Sequence, residues 1–370
     1  MLAKNVLGII FSSSYDDTIS EMTNIRTMGS IPFAGRYRLI DFVLSNMVNC
    51  GMSKVGIITK SNYQSLMDHL GLGKAWDLSR KRDGMTILPP FNLGSGGMYT
   101  SKIEALSNTM DYISQSGKDY GLLADCNVVC NIDYGKLLDF HEETGADITI
   151  AYKNGPVPKT DDRMVLSVDE NKKVKDIAIS QQNGEEADYS ANIIIFSRIL
   201  LERLINDAMS QNFKNFSKDI IQKNVSSLKI YGYEIEDYVK TIDSLQSYYE
   251  ISMELVKGDF RALFNKERPV YTKVNDNMAT TYGISSDVHN SLIADGCIIK
   301  GKVENCILFR GVRVEENAVV RNSIIMHDAY IGQGAKINYA ILDKNVIVKP
   351  ARELSGAPTY PLYVGKKILV

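Results

Sequence analysis

The chain is 370 residues long, 44% apolar and 23% charged, with a formal charge of −2, enough to bury a large core and to make more than one domain. The near-neutral balance gives no electrostatic reason to expect nucleic acid or an anionic membrane as the main partner. No segment approaches about 18 uninterrupted apolar residues, and the start lacks the charged, apolar and small-residue order of a signal peptide, so a cytoplasmic location is expected.

In chain order, "VLGIIF", "KVGIIT", "DITIAYK", "VKDIAIS" and "ANIIIFS" read as strands. Between and after them, "YRLIDFVLSNMVNC", "SKIEALSNTMDYISQ", "YGKLLDFHEETG" and "SRILLERLINDAM" read as helices. This alternation predicts an α/β domain with a mostly parallel sheet covered on both faces. Such sheets take ligands beyond the carboxyl ends of their strands, which places the loop "SSSYDDT" after "LGIIF" where a ligand is expected. That loop lacks glycines and any basic residue. Next, "TIDSLQSYYEISMELVKGDFRALF" predicts one long helix over 241–264, with Tyr248, Ile251, Leu255 and Val256 on one face.

From about residue 285 short apolar pairs alternate with glycine, asparagine and charged residues. Cys306, Ser323 and Ala340 begin three such groups 17 residues apart, and the same shift relates Val303, Val320 and Ile337, and Val314, Ile331 and Val348. Three apolar columns at one period predict a parallel β-helix of hexapeptide coils. The expected division is 1–230 for the α/β domain, 231–284 for a helical connection and 285–370 for the β-helix. The five cysteines, Cys50, Cys126, Cys130, Cys297 and Cys306, are odd in number and scattered, which predicts reduced core thiols. His69, His141 and His289 make no metal-ligand spacing. His327 alone on a coil is weak ground for an acyltransferase base.

The segment "IPFAGRYRLIDFVLSNMVNCGMSKVGIIT" resembles the glucose-1-phosphate adenylyltransferases (ADP-glucose pyrophosphorylases), whose motif runs close to VPFGGKYRLIDFxLSNxxNSG. "CNIDYGKLLDFH" and "TIDSLQSYYEISMEL" continue the likeness, as does the β-helix run. The resemblance covers nearly the whole chain. It implies a Rossmann-like nucleotidyltransferase domain with a mostly parallel mixed sheet, followed by a C-terminal left-handed parallel β-helix.

The departures from that family fall on its chemistry. Its GGxGxR loop falls on Ser13, Ser14, Tyr15, Asp16, Asp17 and Thr18, so Thr18 stands where the resemblance implies the catalytic arginine. Its RAKP lysine falls on Met28. The two metal-binding aspartates fall on Asn127 and Tyr238, with Asp125 and Asp237 as neighbouring carboxylates that would carry Mg2+ only through shifted geometry. The sugar-phosphate lysine falls roughly on Gln181. Glycines in such a loop let backbone N–H groups approach phosphate oxygens, and cations offset charge as pyrophosphate leaves. Losing one such charge typically costs on the order of a hundredfold to a hundred-thousandfold in rate.

The expectation is therefore a site without catalytic residues and with no firm cofactor. The pattern is similar to the second-subunit branch of the family, which implies a hetero-oligomer, a tetramer, with a catalytic adenylyltransferase subunit in glycogen synthesis. The rival is an active adenylyltransferase using Asp125 or Asp237. Arg26, Arg36 and Arg38 are candidates for binding phosphate or a phosphorylated effector, since a guanidinium fork suits phosphate. Alternatively Arg36 and Arg38 merely start a helix, pair with Asp41 and pack on the sheet.

Overall fold

The computed structural model describes residues 2–90, 99–160, 162–179, 184–258 and 262–370. Gln181 lies outside the described residues. Val6–Phe11 is buried at every position, which is why its sequence is an unbroken apolar run. Val6 and Ile10 enter one core, while Leu7, Ile9 and Phe11 enter the other, as the two-residue period of a strand between two covered faces requires. Lys54–Ile58 and Gly84–Leu88 extend this sheet in parallel on one side, and Tyr120–Asp125 pairs in parallel on the other.

Beyond Tyr120–Asp125 the pairing turns antiparallel. The long strand Glu186–Ser197 joins Tyr120–Asp125 along its C-terminal half and Met164–Val168 at Tyr189. Met164–Val168 forms a hairpin with Val174–Ile179. On the other edge of the long strand lie Ile148–Pro156 and then Ile230–Glu234, completing a mixed nine-stranded sheet.

The helix Leu39–Asn49 covers one face. It sits so close to the sheet that a Cβ at Gly8 would lie 2.6 Å from Met47 Sδ. The helix expected over 101–115 is broken at Thr109 into Lys102–Asn108 and Met110–Ser114. The Thr109 hydroxyl donates to the carbonyls of Ala105 and Leu106, both at 3.1 Å, a back-bond that bends helices. The helix expected over 241–264 runs only Leu245–Val256. The Ser244 hydroxyl caps its start by accepting from Ser247 N at 3.1 Å, and Gly258, at φ +111, takes the chain out of helical geometry just after its end.

The β-helix forms three parallel five-stranded sheets. The expected columns hold, with Val303, Val320 and Ile337 in register, and likewise Val314, Ile331 and Val348. The first coil is shorter by two residues, Asp287 pairing with Lys302 where later pairs such as Lys302 and Val319 are 17 apart. At one corner Asn290, Asn305 and Asn322 take φ values of +42°, +52° and +46°, a left-handed turn that asparagine tolerates. Their amides stack, Asn290 Nδ2 donating to Asn305 Oδ1 at 2.6 Å and Asn322 Nδ2 to Asn338 Oδ1 at 3.0 Å.

Along one sheet of the β-helix, Leu308, Ile325 and Leu342 fill its interior while Ile307, Ile324 and Ile341 join the core of the α/β domain. The helix Leu245–Val256 ties the two together: Tyr248 Oη donates to Pro32 O at 2.7 Å, and Tyr249 Oη to Asn322 O at 2.6 Å. All five cysteines are free thiols, four of them buried. Among the described residues no helix is long and apolar enough to cross a membrane.

Candidate functional site

The parallel strands Val6–Phe11 and Tyr120–Asp125 end at the same edge, where a ligand cleft belongs. The chain leaves Phe11 by anchoring Ser12, whose N donates to Ile58 O at 3.0 Å and whose carbonyl accepts from Gly29 N at 2.9 Å. It then makes a short turn in which the Thr18 hydroxyl donates to Tyr15 O at 2.8 Å. Met28 is buried at 1% exposure, and its backbone N donates to Asp16 Oδ1 at 2.6 Å. Burial lifts the Asp16 carboxyl to about 7 despite that bond and the nearby charge of Lys60, so the positions of the loop that would carry its cations hold a carboxyl and a buried methionine.

The cleft behind this loop is filled by the protein's own side chains. Tyr15 is buried, and its hydroxyl accepts from Asn192 Nδ2 at 2.8 Å and donates to Asp162 Oδ1 at 3.1 Å. Lys102 Nζ lies 2.7 Å from Asp125 Oδ2 and stands over the rings of Phe11 and Tyr15, at 5.4 and 5.1 Å from their centroids. Burial opposes the Lys102 ammonium, but Asp125 and Tyr15 outweigh it and hold the lysine protonated. The Asp125 carboxyl is itself pushed up by burial, with Lys102 pulling against it. The other Asp125 oxygen has no partner. Beside them Arg163 is fully buried, stacked 5.5 Å from the Tyr189 ring and bonded to Thr160. The open space left next to Lys102 is about 180 Å³.

The other sequence-derived positions are dispersed. Asn127 is fully buried, and neither its amide oxygen nor its nitrogen has a protein partner. It precedes the strand Val128–Cys130, which pairs antiparallel with Val239–Thr241, Val239 opposite Cys130. Asn127 and Tyr238 therefore flank opposite ends of this ribbon. Tyr238 Oη donates to Glu254 Oε2 at 3.1 Å. Asp237 pairs with Arg268 at 3.2 Å, on the rim of a separate, larger cavity of about 950 Å³.

A divalent cation needs several oxygen ligands converging on one point. Asp125 is committed to Lys102 and Asp237 to Arg268 in different cavities, and among the described residues no group of three or more His, Cys, Asp or Glu could hold a metal ion. The residues present do not fit the metal that the family's chemistry would use.

The arginines converge elsewhere, in a crevice between the α/β domain and the β-helix. Arg26 is buried with Nη2 2.5 Å from Asp343 Oδ2, which also accepts from Tyr363 Oη at 2.8 Å. Arg26 Nη1 has no partner. The Arg38 guanidinium donates to Ser65 O at 2.5 Å, and Asp41, capping the helix through Arg38 N at 3.0 Å, pairs with His69 at 2.6 Å. Burial, opposed only in part by Asp41, lowers Arg38 to about 10. Lys344, which the sequence reading did not single out, is lowered to about 7 by burial and by Arg38 and Arg26. Burial likewise lowers His327 to about 2. Arg36 is exposed, 5.8 Å above the Tyr37 ring. Arg26, Arg38 and Lys344 thus converge, while Arg36 stays outside. The sign that could have found Lys344 is a charged pair, Asp343–Lys344, directly after the buried column residue Leu342.

Residues 17–258 match the nucleotidyl transferase family, and residues 276–356 match the GlmU-like C-terminal hexapeptide family. The chain is 36% identical to "Glycogen biosynthesis protein GlgD" of Bacillus subtilis (strain 168), over all of this chain and 98% of that relative. It is 31% identical to a "Glucose-1-phosphate adenylyltransferase" of Clostridium perfringens (strain 13 / Type A), over 89% of this chain and 85% of the relative. A protein of the same name from Fervidobacterium nodosum is 31% identical over 94% of this chain and 84% of its own length. With a sheet whose ligand edge is refilled by Tyr15 and Lys102, and a β-helix packed against it, the chain belongs to the bacterial glucose-1-phosphate adenylyltransferase family of nucleotidyl transferases.

Proposed function

We propose that this chain is a regulatory, non-catalytic subunit of a glucose-1-phosphate adenylyltransferase. It joins a catalytic subunit in a hetero-oligomer, a tetramer, and supports ADP-glucose formation from ATP and glucose 1-phosphate for glycogen biosynthesis. The observation that carries the reading is the Lys102–Asp125 ion pair of 2.7 Å: the carboxylate best placed for metal at the ligand edge is neutralised by a lysine of the same chain. Adenylyl transfer brings two anionic reactants together and depends on metal and cations to offset their charge. Here Thr18 and Met28 supply none.

The regulatory half of the reading rests on the interdomain crevice. Arg26, Arg38 and Lys344 gather there with Arg26 paired to Asp343, and burial first, with the neighbouring cations adding to it, lowers the affinity of Arg38 and Lys344 for their protons. A phosphorylated metabolite would relieve the repulsion and bind across both domains.

The test is pyrophosphate release from ATP and glucose 1-phosphate with magnesium, by this chain alone, a catalytic family member alone, and the two mixed. Silence alone, with raised activity or an altered effector response on mixing, is the expected result. Robust turnover by the isolated chain would establish the rival, an adenylyltransferase active in its own right.

A further inference from the structure

We propose that Tyr15 is a built-in ligand. Its phenol ring fills the cleft at the carboxyl ends of the central strands and holds the surrounding elements in the arrangement that a bound small molecule would otherwise impose. The proposal extends the non-catalytic reading from absent chemistry to absent binding.

The geometry is that of ligand recognition made within one chain. The Tyr15 hydroxyl meets Asn192 on the strand Glu186–Ser197 at 2.8 Å, Asp162 before the strand Met164–Val168 at 3.1 Å, and Lys102 at the start of its helix at 3.5 Å. These partners lie 177, 147 and 87 residues away, so one side chain links elements from both halves of the cleft. Its ring shares the Lys102 ammonium with Phe11. An apolar wall with a few convergent polar groups around a fully satisfied hydroxyl is how small-molecule sites are built.

Size points the same way. The space remaining beside the network, about 180 Å³, is below the roughly 300 Å³ at which ligand pockets begin. Around the phenol itself Lys102 and Arg163 are matched by Asp125 and Asp162, while Lys60 and Lys214 line the small space that remains. A ligand shifts a conformational equilibrium only by its differential affinity for the two states. With the cleft occupied by Tyr15, ATP and glucose 1-phosphate have no state of this domain to select. The domain then presents its partner with a permanently ligand-like surface.

Hydrogen exchange on the full chain tests this. In the wild-type protein, segments 12–19, 102–108 and 186–197 should be well protected, and millimolar ATP or glucose 1-phosphate should leave them unchanged. Tyr15→Ala should exchange about tenfold faster there while the β-helix, 298–348, stays as protected as before. Millimolar p-cresol, the tyrosine side chain as a free molecule, should restore protection in Tyr15→Ala and do nothing to the wild type.

Tyr15→Phe keeps the ring and guards against a variant that fails to fold. It should loosen 186–197 and 102–108 by at least about threefold, because the hydroxyl links them. ATP-induced protection in the wild type, unchanged exchange in both variants, or loosening that p-cresol does not reverse would each overturn the proposal. Pyrophosphate release by the isolated chain would overturn the non-catalytic reading instead. ATP-induced protection without that release would sink the built-in ligand alone.

Discussion

The cleft at the sheet's carboxyl edge and the crevice beside the β-helix both bury charge, and they dispose of it in opposite ways. In the cleft, Lys102 and Asp125 pair at 2.7 Å and a tyrosine fills the space between them and the far wall. In the crevice, Arg38 and Lys344 feel the charge of Arg26, and their pKa values fall to about 10 and about 7, with burial as the leading cause. A closed ion pair is finished structure. Buried cations set beside one another are the ground on which the effector proposal rests.

The sharpest way to break this contrast is to unpair the cleft. Lys102→Met leaves Asp125 buried without its cation and should cost about 3–5 kcal/mol in urea unfolding, whereas the double change Lys102→Met with Asp125→Leu should recover most of that loss. A double variant as unstable as the single one would mean that the pair is not the unit holding the cleft.

The crevice should respond with the opposite sign. Lys344→Met removes a crowded cation, so it should stabilise the chain by about 1–2 kcal/mol at pH 6, while weakening inorganic pyrophosphate binding about tenfold by calorimetry. A destabilised variant with unchanged anion affinity would show that Lys344 is ordinary structure.

The pH dependence sharpens the point. Lys344 titrates near 7 when folded against a model value of 10.5, so the unfolded chain binds the extra proton between those values. Its contribution therefore makes stability rise with pH across that window. Lys344→Met should flatten that rise. Pyrophosphate should bind more tightly below about pH 7, where Lys344 is charged in the free protein. The smallest effect belongs to a pair outside both regions: Lys172 and Glu234, 3.0 Å apart and each about half exposed, should matter by less than about 0.5 kcal/mol when Lys172 becomes Ala.

Much of the cleft's chemical poverty was legible in the loop itself, where "SSSYDDT" carries two aspartates and no arginine. That Tyr15 turns inward was not. Its partners lie 147 and 177 residues away, and no local pattern encodes so distant a contact. The central strand Tyr120–Asp125 escaped the sequence reading because a short apolar run after a helical stretch looks the same whether it continues the helix or starts a strand. The apolar pattern predicts a helix to residue 264, but Gly258 at φ +111 turns the backbone away and the helix ends at Val256. In the crevice Arg26 and Arg38 stood out, but Lys344 did not. A charged residue on a β-helix coil normally faces water, and only the packed α/β domain buries this one.

The sequence by itself determined the β-helix and the register of its middle coils, because those coils repeat at a 17-residue period that needs no distant information. It also determined the α/β character of the first domain through strands that are apolar on both faces. Only the tertiary structure decided what fills the ligand edge and where the cations meet. Both outcomes depend on side chains brought together from remote parts of the chain, and the burial that sets their charge exists only after the two domains have packed.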